Sequence, residues 1–163
     1  MLPMLALRDM SKSSFLIILV FLLGSSSAWS LCVKVDQANL RAQPSARSKL
    51  LWTVGKYMPL LPVKQKGAWI QVKDFEGKKM WIHGGLVSRR LDCAVVKVSK
   101  TNLRKGPGVR FGKTPLNSAR RYMPFKKIKR DGAWLKLQDD YGYKHWVFEK
   151  SLWEPLAYAN LTY

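Results

Sequence analysis

The chain has 163 residues, 47% of them hydrophobic and 12% aromatic, which excludes a disordered polymer and allows one ordinary domain or two small ones. Its 29 lysines and arginines outnumber its 10 aspartates and glutamates, so that the formal charge is +19. This imbalance favours an anionic partner such as nucleic acid, anionic lipid or acidic cell-wall polymer, but it does not determine the fold.

Residues 1–30 have the pattern of a secretory signal peptide. The nine apolar residues 15–23 are too few to span a bilayer, which needs about 20. Arg8 and Lys12 precede them, and the small residues of GSSSAWS follow, as a signal-peptide cleavage site requires. We expect export to the periplasm or the extracellular space, with no transmembrane span after cleavage. An uncleaved anchor and a short buried helix are the alternatives.

Cys32 and Cys93 are the two cysteines of the chain. In an exported protein an even number of cysteines indicates a disulfide. Each cysteine comes shortly before a Val-Lys-Val segment, at 33–35 and 96–98. We therefore predict a Cys32–Cys93 disulfide that joins the starts of two repeats, with two buried or free thiols as the alternative.

The remainder of the chain is a tandem repeat. Three phrases recur in the same order: Asn-Leu-Arg at 39–41 and 102–104, Tyr-Met-Pro at 57–59 and 122–124, and Gly-Ala-Trp at 67–69 and 132–134. The spacing between copies grows from 63 to 65 residues along the repeat. The second copy therefore carries two extra residues between Pro107 and Tyr122.

Each repeat has the pattern of a small all-β domain. Short runs of β-branched and aromatic residues are separated by Gly, Pro, Asn and Asp, and no long segment has a helical period. Residues 68–73 and 133–138 alternate apolar and polar side chains, as half-buried strands do. Residues 74–77 and 139–142 have the composition of hairpin turns. Short strands at this close spacing predict a small barrel or sandwich.

The order of these motifs resembles the bacterial SH3 (SH3b) family. The segment TNLRKGPG at 101–108 is similar to the family's opening Asn-Leu/Val-Arg-x-Gly-Pro-Gly, whereas ANLRAQPS at 38–45 lacks the glycine before the proline. The resemblance extends over residues 33–87 and 96–152, and it implies two tandem SH3-like barrels. The predicted organisation is a signal peptide at 1–30, a first barrel at 31–91, a second barrel at 92–155 and a tail at 156–163.

The resemblance also implies a function class, since SH3b modules often accompany cell-wall hydrolase domains in exported proteins. We expect no such catalytic domain beside the repeats. We expect a non-catalytic binding or scaffold module that recognises a cell-wall peptide or glycan or an envelope protein. The alternatives are a salt-sensitive electrostatic binder of anionic envelope polymer, lipid or nucleic acid, and an accessory subunit of an envelope enzyme. A specific intracellular nucleic acid is not an expected partner of an exported protein.

Two groups of residues are candidates for ligand contacts. Aromatic side chains with one polar edge suit binding surfaces, and arginines suit anions. The first group consists of Trp52, Tyr57, Arg41, Arg104, Tyr122 and Tyr141. The second is a basic patch formed by Arg120, Arg121, Lys126, Lys127, Lys129 and Arg130. The alternatives are that Arg41 and Arg104 bind carbonyls of their own loops, and that the patch is an ordinary solvated face.

The inventory of reactive residues predicts neither an enzyme nor a metal or cofactor site. The two histidines, His83 and His145, occupy different positions in their repeats, and no set of ligands has metal-site spacing. Asp139 and Asp140 belong to a predicted turn. The segment TNLRKGPG lacks the following helix that a phosphate-binding loop needs, so we interpret it as a structural loop.

Overall fold

The computed structural model describes residues 30–155, which form two seven-stranded antiparallel sheets. The predicted all-β fold class is therefore confirmed. The strands of the first sheet are β1 Leu31–Val33, β2 Gln37–Arg41, β3 Leu50–Gly55, β4 Pro59–Lys66, β5 Trp69–Lys73, β6 Lys79–His83 and β7 Val87–Ser88. The strands of the second sheet are β8 Cys93–Val96, β9 Lys100–Arg104, β10 Lys113–Arg120, β11 Pro124–Asp131, β12 Trp134–Gln138, β13 Lys144–Phe148 and β14 Leu152–Trp153.

Two predicted segments fall wholly or almost wholly outside the described residues. These are the signal peptide, of which only Ser30 is described, and the tail at 156–163. Within residues 30–155, no helix is long and apolar enough to cross a membrane.

The two sheets have the same topology. The order β3-β2-β6-β5-β4-β1-β7 of the first sheet recurs as β10-β9-β13-β12-β11-β8-β14 in the second, so each strand is replaced by the strand seven places later. We call residues 31–88 the first β unit and residues 93–153 the second β unit. The repeat seen in the sequence is thus also a repeat of strand order.

The two extra residues of the second copy lie in strand β10. In the first unit, β3 pairs with β2 with a small irregularity next to Arg41. In the second unit, the register between β10 and β9 shifts over the longer interval from Lys113 to Ser118. Within this interval Asn117 has a φ of 60°, a conformation that asparagine tolerates better than most residues. We call residues 114–117 the β10 bulge.

Alternating side chains of the central strands form the core of each unit. Ile70 and Val72 of β5 are buried, and Leu135 and Leu137 are their equivalents in β12. Burial of each such side chain contributes on the order of 2 kcal/mol, which suits a unit of this size with a thin core. The alternation predicted from the sequence therefore selects the correct inward face.

The two units are joined by a disulfide and by shared apolar packing. The Cys32–Cys93 bridge connects β1 to β8, with 6.1 Å between the Cα atoms, as predicted. Val95 of the second unit is fully buried within the core cluster of the first unit, and Tyr122 and Trp153 pack against that same cluster. The units therefore share one apolar junction.

An ion pair lies at the edge of this junction. The Arg121 guanidinium of the second unit binds the Glu76 carboxylate of the first, and it also stacks over the Phe75 ring at 4.8 Å. The hydrogen bond from Arg121, assisted by Tyr122 and Lys78, lowers the pKa of Glu76 from 4.5 to about 2. The second unit thus contributes both an apolar and a charged contact to the first.

We expect the double substitution C32S/C93S to lower the free energy of unfolding by about 2–4 kcal/mol. The bridge spans 61 residues of sequence, and its loss would release the unfolded chain from that constraint. Urea unfolding of both proteins, with and without reductant, measures the effect. Reductant should lower the stability of the wild type to that of the variant and leave the variant unchanged; equal stability of the two oxidised proteins would contradict the prediction.

We expect the substitution E76Q to destabilise the protein at pH 6, and the difference from the wild type to shrink as the pH falls from about 4.5 to about 2. Because the pKa of Glu76 is lower in the folded protein, its contribution is complete above the unfolded value and is lost on acidification through the folded value. Urea midpoints at several pH values measure this dependence. A difference that stays constant from pH 6 to pH 2 would show that the carboxylate charge is not involved.

Candidate ligand grooves

The junction of the two units forms a groove, which we call the interface groove. Its volume is ≈ 540 Å³, within the range of small-molecule and peptide sites. Its walls come from both repeats: Leu51, Trp52, Lys78, Lys79 and Met80 of the first unit and Tyr122 of the second, with Asp74 also in the lining. Trp52 and Tyr122, two of the residues predicted to bind a ligand, meet edge to face with 4.9 Å between their ring centroids.

A strained turn presents Tyr122 to the first unit. Its φ of 69° is uncommon for a residue with a side chain, and its N–H donates to the carbonyl of Val96 at 2.9 Å. Burial, helped by the neighbouring Glu76 carboxylate, raises the pKa of Tyr122 to about 12. The phenol therefore stays neutral and able to donate a hydrogen bond at physiological pH.

Tyr57, another predicted ligand residue, occupies the equivalent turn of the first unit. It has a φ of 66°, its N–H donates to the carbonyl of Val33, and the Lys56 ammonium lies 5.6 Å from its ring centroid. The residues that line the interface groove do not include Tyr57. The structure thus separates Tyr57 from Trp52 and Tyr122.

Asp74 has one satisfied and one unsatisfied carboxylate oxygen. Its Oδ1 accepts hydrogen bonds from the N–H groups of Glu76 at 2.9 Å and Lys78 at 3.0 Å, which close the turn between β5 and β6. Its Oδ2 is buried and has no hydrogen-bond donor among residues 30–155. The Asp74 residue as a whole is only 3% exposed to solvent.

The second unit satisfies the equivalent atom with a histidine. Asp139 Oδ1 accepts from the N–H of Tyr143 at 2.8 Å, while Oδ2 lies 3.2 Å from His145 Nε2. Met80 of the first unit is equivalent to His145. Met80 pairs with Val72 of β5, and His145 pairs with Leu137, the equivalent residue of β12. A thioether cannot donate a hydrogen bond, so Asp74 Oδ2 remains without a donor.

A second groove lies at the equivalent place in the second unit, and its volume is ≈ 490 Å³. The β10 bulge supplies one wall through Thr114, Pro115 and Leu116, and the predicted ligand residue Tyr141, 83% exposed, supplies part of another. Tyr141 therefore lies in a different groove from Trp52 and Tyr122.

The floor of the second groove is a buried row of polar side chains. Thr114 Oγ1 lies 2.9 Å from His145 Nδ1, and His145 in turn contacts Asp139. A catalytic triad has the same order of hydroxyl nucleophile, imidazole base and orienting carboxylate. All three residues are at most 6% exposed. We interpret the row as internal support that fastens the β10 bulge to β13.

Arg41 and Arg104 bind carbonyls of their own loops, which is the alternative that the sequence left open. Arg41 Nη1 donates to Ser48 O at 2.7 Å, and Arg104 Nη1 donates to Val109 O at 2.9 Å and Phe111 O at 2.8 Å. In the TNLRKGPG loop, a Cβ on Gly106 would lie 2.4 Å from the Phe111 ring. The glycine and the arginine thus shape this loop around a phenylalanine.

Half of the predicted basic patch is paired with carboxylates. Lys127 Nζ lies 3.0 Å from Asp92 and 2.7 Å from Glu154, and Arg130 binds Glu149 and Glu154. Arg121 is the partner of Glu76 described above. The other three members, which have no ion pair within the described part of the chain, are Arg120, Lys126 and Lys129.

Sequence reasoning missed Asp74, the buried carboxylate of the interface groove. The composition of residues 74–77 predicts only a hairpin turn, which Asp74 Oδ1 does close. The signal for its second oxygen was the repeat itself. The aspartate recurs as Asp139, but the histidine at 145 is replaced by methionine at 80, so one copy loses a buried donor.

Solved structures with similarity to the chain include an NlpC/P60 family protein from Bacillus cereus ATCC 10987, with 12% identity and a TM-score of 0.37. NlpC2 and NlpC1 from Trichomonas vaginalis have 8% and 11% identity and TM-scores of 0.34 and 0.33. The matches cover 78%, 79% and 83% of this chain and 57%, 49% and 50% of the respective structures. The chain thus spans about half the length of these proteins.

The family comparison concerns the first β unit. No curated protein matches the chain. Residues 34–89 match the family model described as the bacterial SH3 domain. The first β unit therefore contains the bacterial SH3 domain that the sequence motifs predicted.

Proposed function

We propose that the protein is an exported, non-catalytic binding module of the cell envelope that recognises a peptide or glycan of the cell wall, or an envelope protein. The observation that carries the proposal is the interface groove. It unites Trp52 and Tyr122, from different repeats, in one concave site of ≈ 540 Å³. Aromatic walls with a few polar groups are typical of ligand sites. Because the second unit completes the groove, the two units act as one binding surface.

Three further features support this assignment. Residues 34–89 match the bacterial SH3 domain, and the second unit repeats its strand order. We infer from this shared order that the second unit is also an SH3-like barrel. The Cys32–Cys93 disulfide is suited to an oxidising compartment outside the cytoplasm. The formal charge of +19 would hold the protein near envelope polyanions.

The charge also favours a second candidate function, the electrostatic binding of an anionic envelope polymer. Arg120, Lys126 and Lys129 are without ion pairs within residues 30–155, so they remain able to contact anions. Binding by exposed charges weakens as the salt concentration rises, because the Debye length shortens from about 10 Å at 0.1 M to about 3 Å at 1 M. The two candidates therefore differ in their salt dependence.

We expect the protein to co-sediment with purified peptidoglycan and to stay bound at 0.5–1 M NaCl. The substitution W52A should lower retention about tenfold or more, since truncation of a central aromatic residue removes a large part of a binding surface. The matched control is Y57A, which truncates an aromatic side chain outside the groove. Thermal unfolding of both variants checks that each is folded in the assay.

The other outcomes assign the function differently. Release of the wild type at moderate salt, together with lower retention of K126E/K129E, would favour the electrostatic candidate. Failure to bind peptidoglycan at any salt concentration would overturn wall binding and favour a protein partner.

A further inference from the structure

The interface groove contains a buried hydrogen-bond acceptor that the described part of the chain leaves without a donor. Asp74 Oδ2 is this atom. Buried polar atoms in folded proteins nearly always have partners, because an unpaired one loses its hydration without compensation. Asp74 is among the residues that line the groove, so a ligand in the groove would lie next to this side chain. The unpaired oxygen thus indicates where a ligand donor would bind.

The second unit shows that the fold has an internal solution for this atom. There, His145 lies 3.2 Å from the equivalent oxygen of Asp139. The first unit keeps the aspartate and the turn that it closes, but it has Met80 in place of the histidine. The need to close the turn explains why Oδ1 is buried, because this oxygen accepts hydrogen bonds from two N–H groups. It does not explain why Oδ2 is buried without a donor.

We propose that the interface groove binds a neutral sugar ring, with a sugar hydroxyl as the donor to Asp74 Oδ2. The apolar C–H face of the ring would pack on the aromatic wall formed by Trp52 and Tyr122. This inference rests on the proposed function and narrows its ligand to the glycan of the cell wall. The aromatic wall and Asp74 line the same groove, as a site for one ring requires.

The charges around the groove favour a neutral donor over a cationic one. Lys78 and Lys79 are part of its lining, and Lys78 and Arg121 share the Glu76 carboxylate, so these three cations outnumber the carboxylates of Glu76 and Asp74. Together with the formal charge of +19, these groups oppose the approach of an ammonium group. A hydroxyl donates to the carboxylate without this repulsion. A peptide N–H is also a neutral donor, but a sugar ring combines several hydroxyls with a broad C–H face, which suits a carboxylate beside two aromatic rings.

The substitution D74N tests the hydrogen bond with little change in shape. The two N–H donors of Glu76 and Lys78 hold the amide oxygen at the position of Oδ1, so the NH₂ group replaces Oδ2. The NH₂ group is a donor, so it cannot accept the hydrogen bond that a sugar hydroxyl would donate to Oδ2. Titration of ¹⁵N-labelled protein with the N-acetylglucosamine tetramer should shift the indole N–H of Trp52 in the wild type. D74N should weaken this binding about tenfold or more, as expected for loss of a hydrogen bond to a charged group.

A second variant tests the comparison between the repeats. M80H places a histidine where the second unit has His145, and its ring N–H would satisfy Asp74 Oδ2 internally. We expect M80H to lower tetramer affinity as D74N does. The matched control is V63H, which places a histidine at an exposed position of β4 outside both grooves and should leave the affinity unchanged. The urea midpoint of D74N should stay close to that of the wild type, because the amide oxygen still accepts the two N–H groups that close the turn, so weak binding would not reflect unfolding.

The outcomes separate this inference from the proposed function. If the tetramer does not shift Trp52, or if D74N binds it as well as the wild type does, the sugar site is wrong. If tetra-alanine shifts Trp52 and the tetramer does not, the groove binds peptide. In these cases retention on peptidoglycan still decides the proposed function. Wild-type protein that binds the tetramer through Asp74 but not peptidoglycan would support the sugar site and overturn wall binding.

Discussion

The docking of the Arg121–Tyr122 turn onto the first β unit is the contact on which the rest of the structure depends. Tyr122 lies 4.9 Å from Trp52 and 4.7 Å from Phe75, between ring centroids, and Arg121 binds Glu76 beside them. The disulfide holds β1 and β8 together, so the turn approaches its partner within one constrained chain. Without this contact the interface groove would have only the wall of the first unit. The contact thus couples the stability of the junction to the shape of the site.

The two units have the same strand order, but small sequence differences between the repeats give them different grooves. Glu76, the partner of Arg121, corresponds to Tyr141, so the second unit lacks the carboxylate that would bind an equivalent basic turn. The β10 bulge adds an apolar wall that β3 does not have. The exchange of methionine for histidine decides whether the buried aspartate is satisfied. The shared strand order therefore supplies the scaffold, and a few sequence differences determine what each groove presents to solvent.

Much of the fold was predictable because it depends on local patterns. Alternation in 68–73 and 133–138 indicated the buried faces, and the paired cysteines indicated the bridge between repeats. The candidate site was only partly predictable. Trp52 and Tyr122 were identified as candidates separately, but their contact depends on how the units dock, which no local pattern encodes. For the same reason the sequence does not show that Lys127 and Arg130 form ion pairs. Their carboxylate partners lie in segments distant in the chain, at positions 92, 149 and 154.

The unpaired oxygen of Asp74 has a consequence for the balance between stability and binding. A buried carboxylate without a full set of donors destabilises the folded chain, and a ligand that supplies the donor recovers this loss on binding. The second unit, in which His145 fills the same role, has no such loss to recover at Asp139. The hydrogen bond that stabilises one repeat internally is therefore available to a ligand in the other. This difference makes the interface groove, although it is formed by a structural junction, the better placed of the two grooves to gain free energy from a polar ligand.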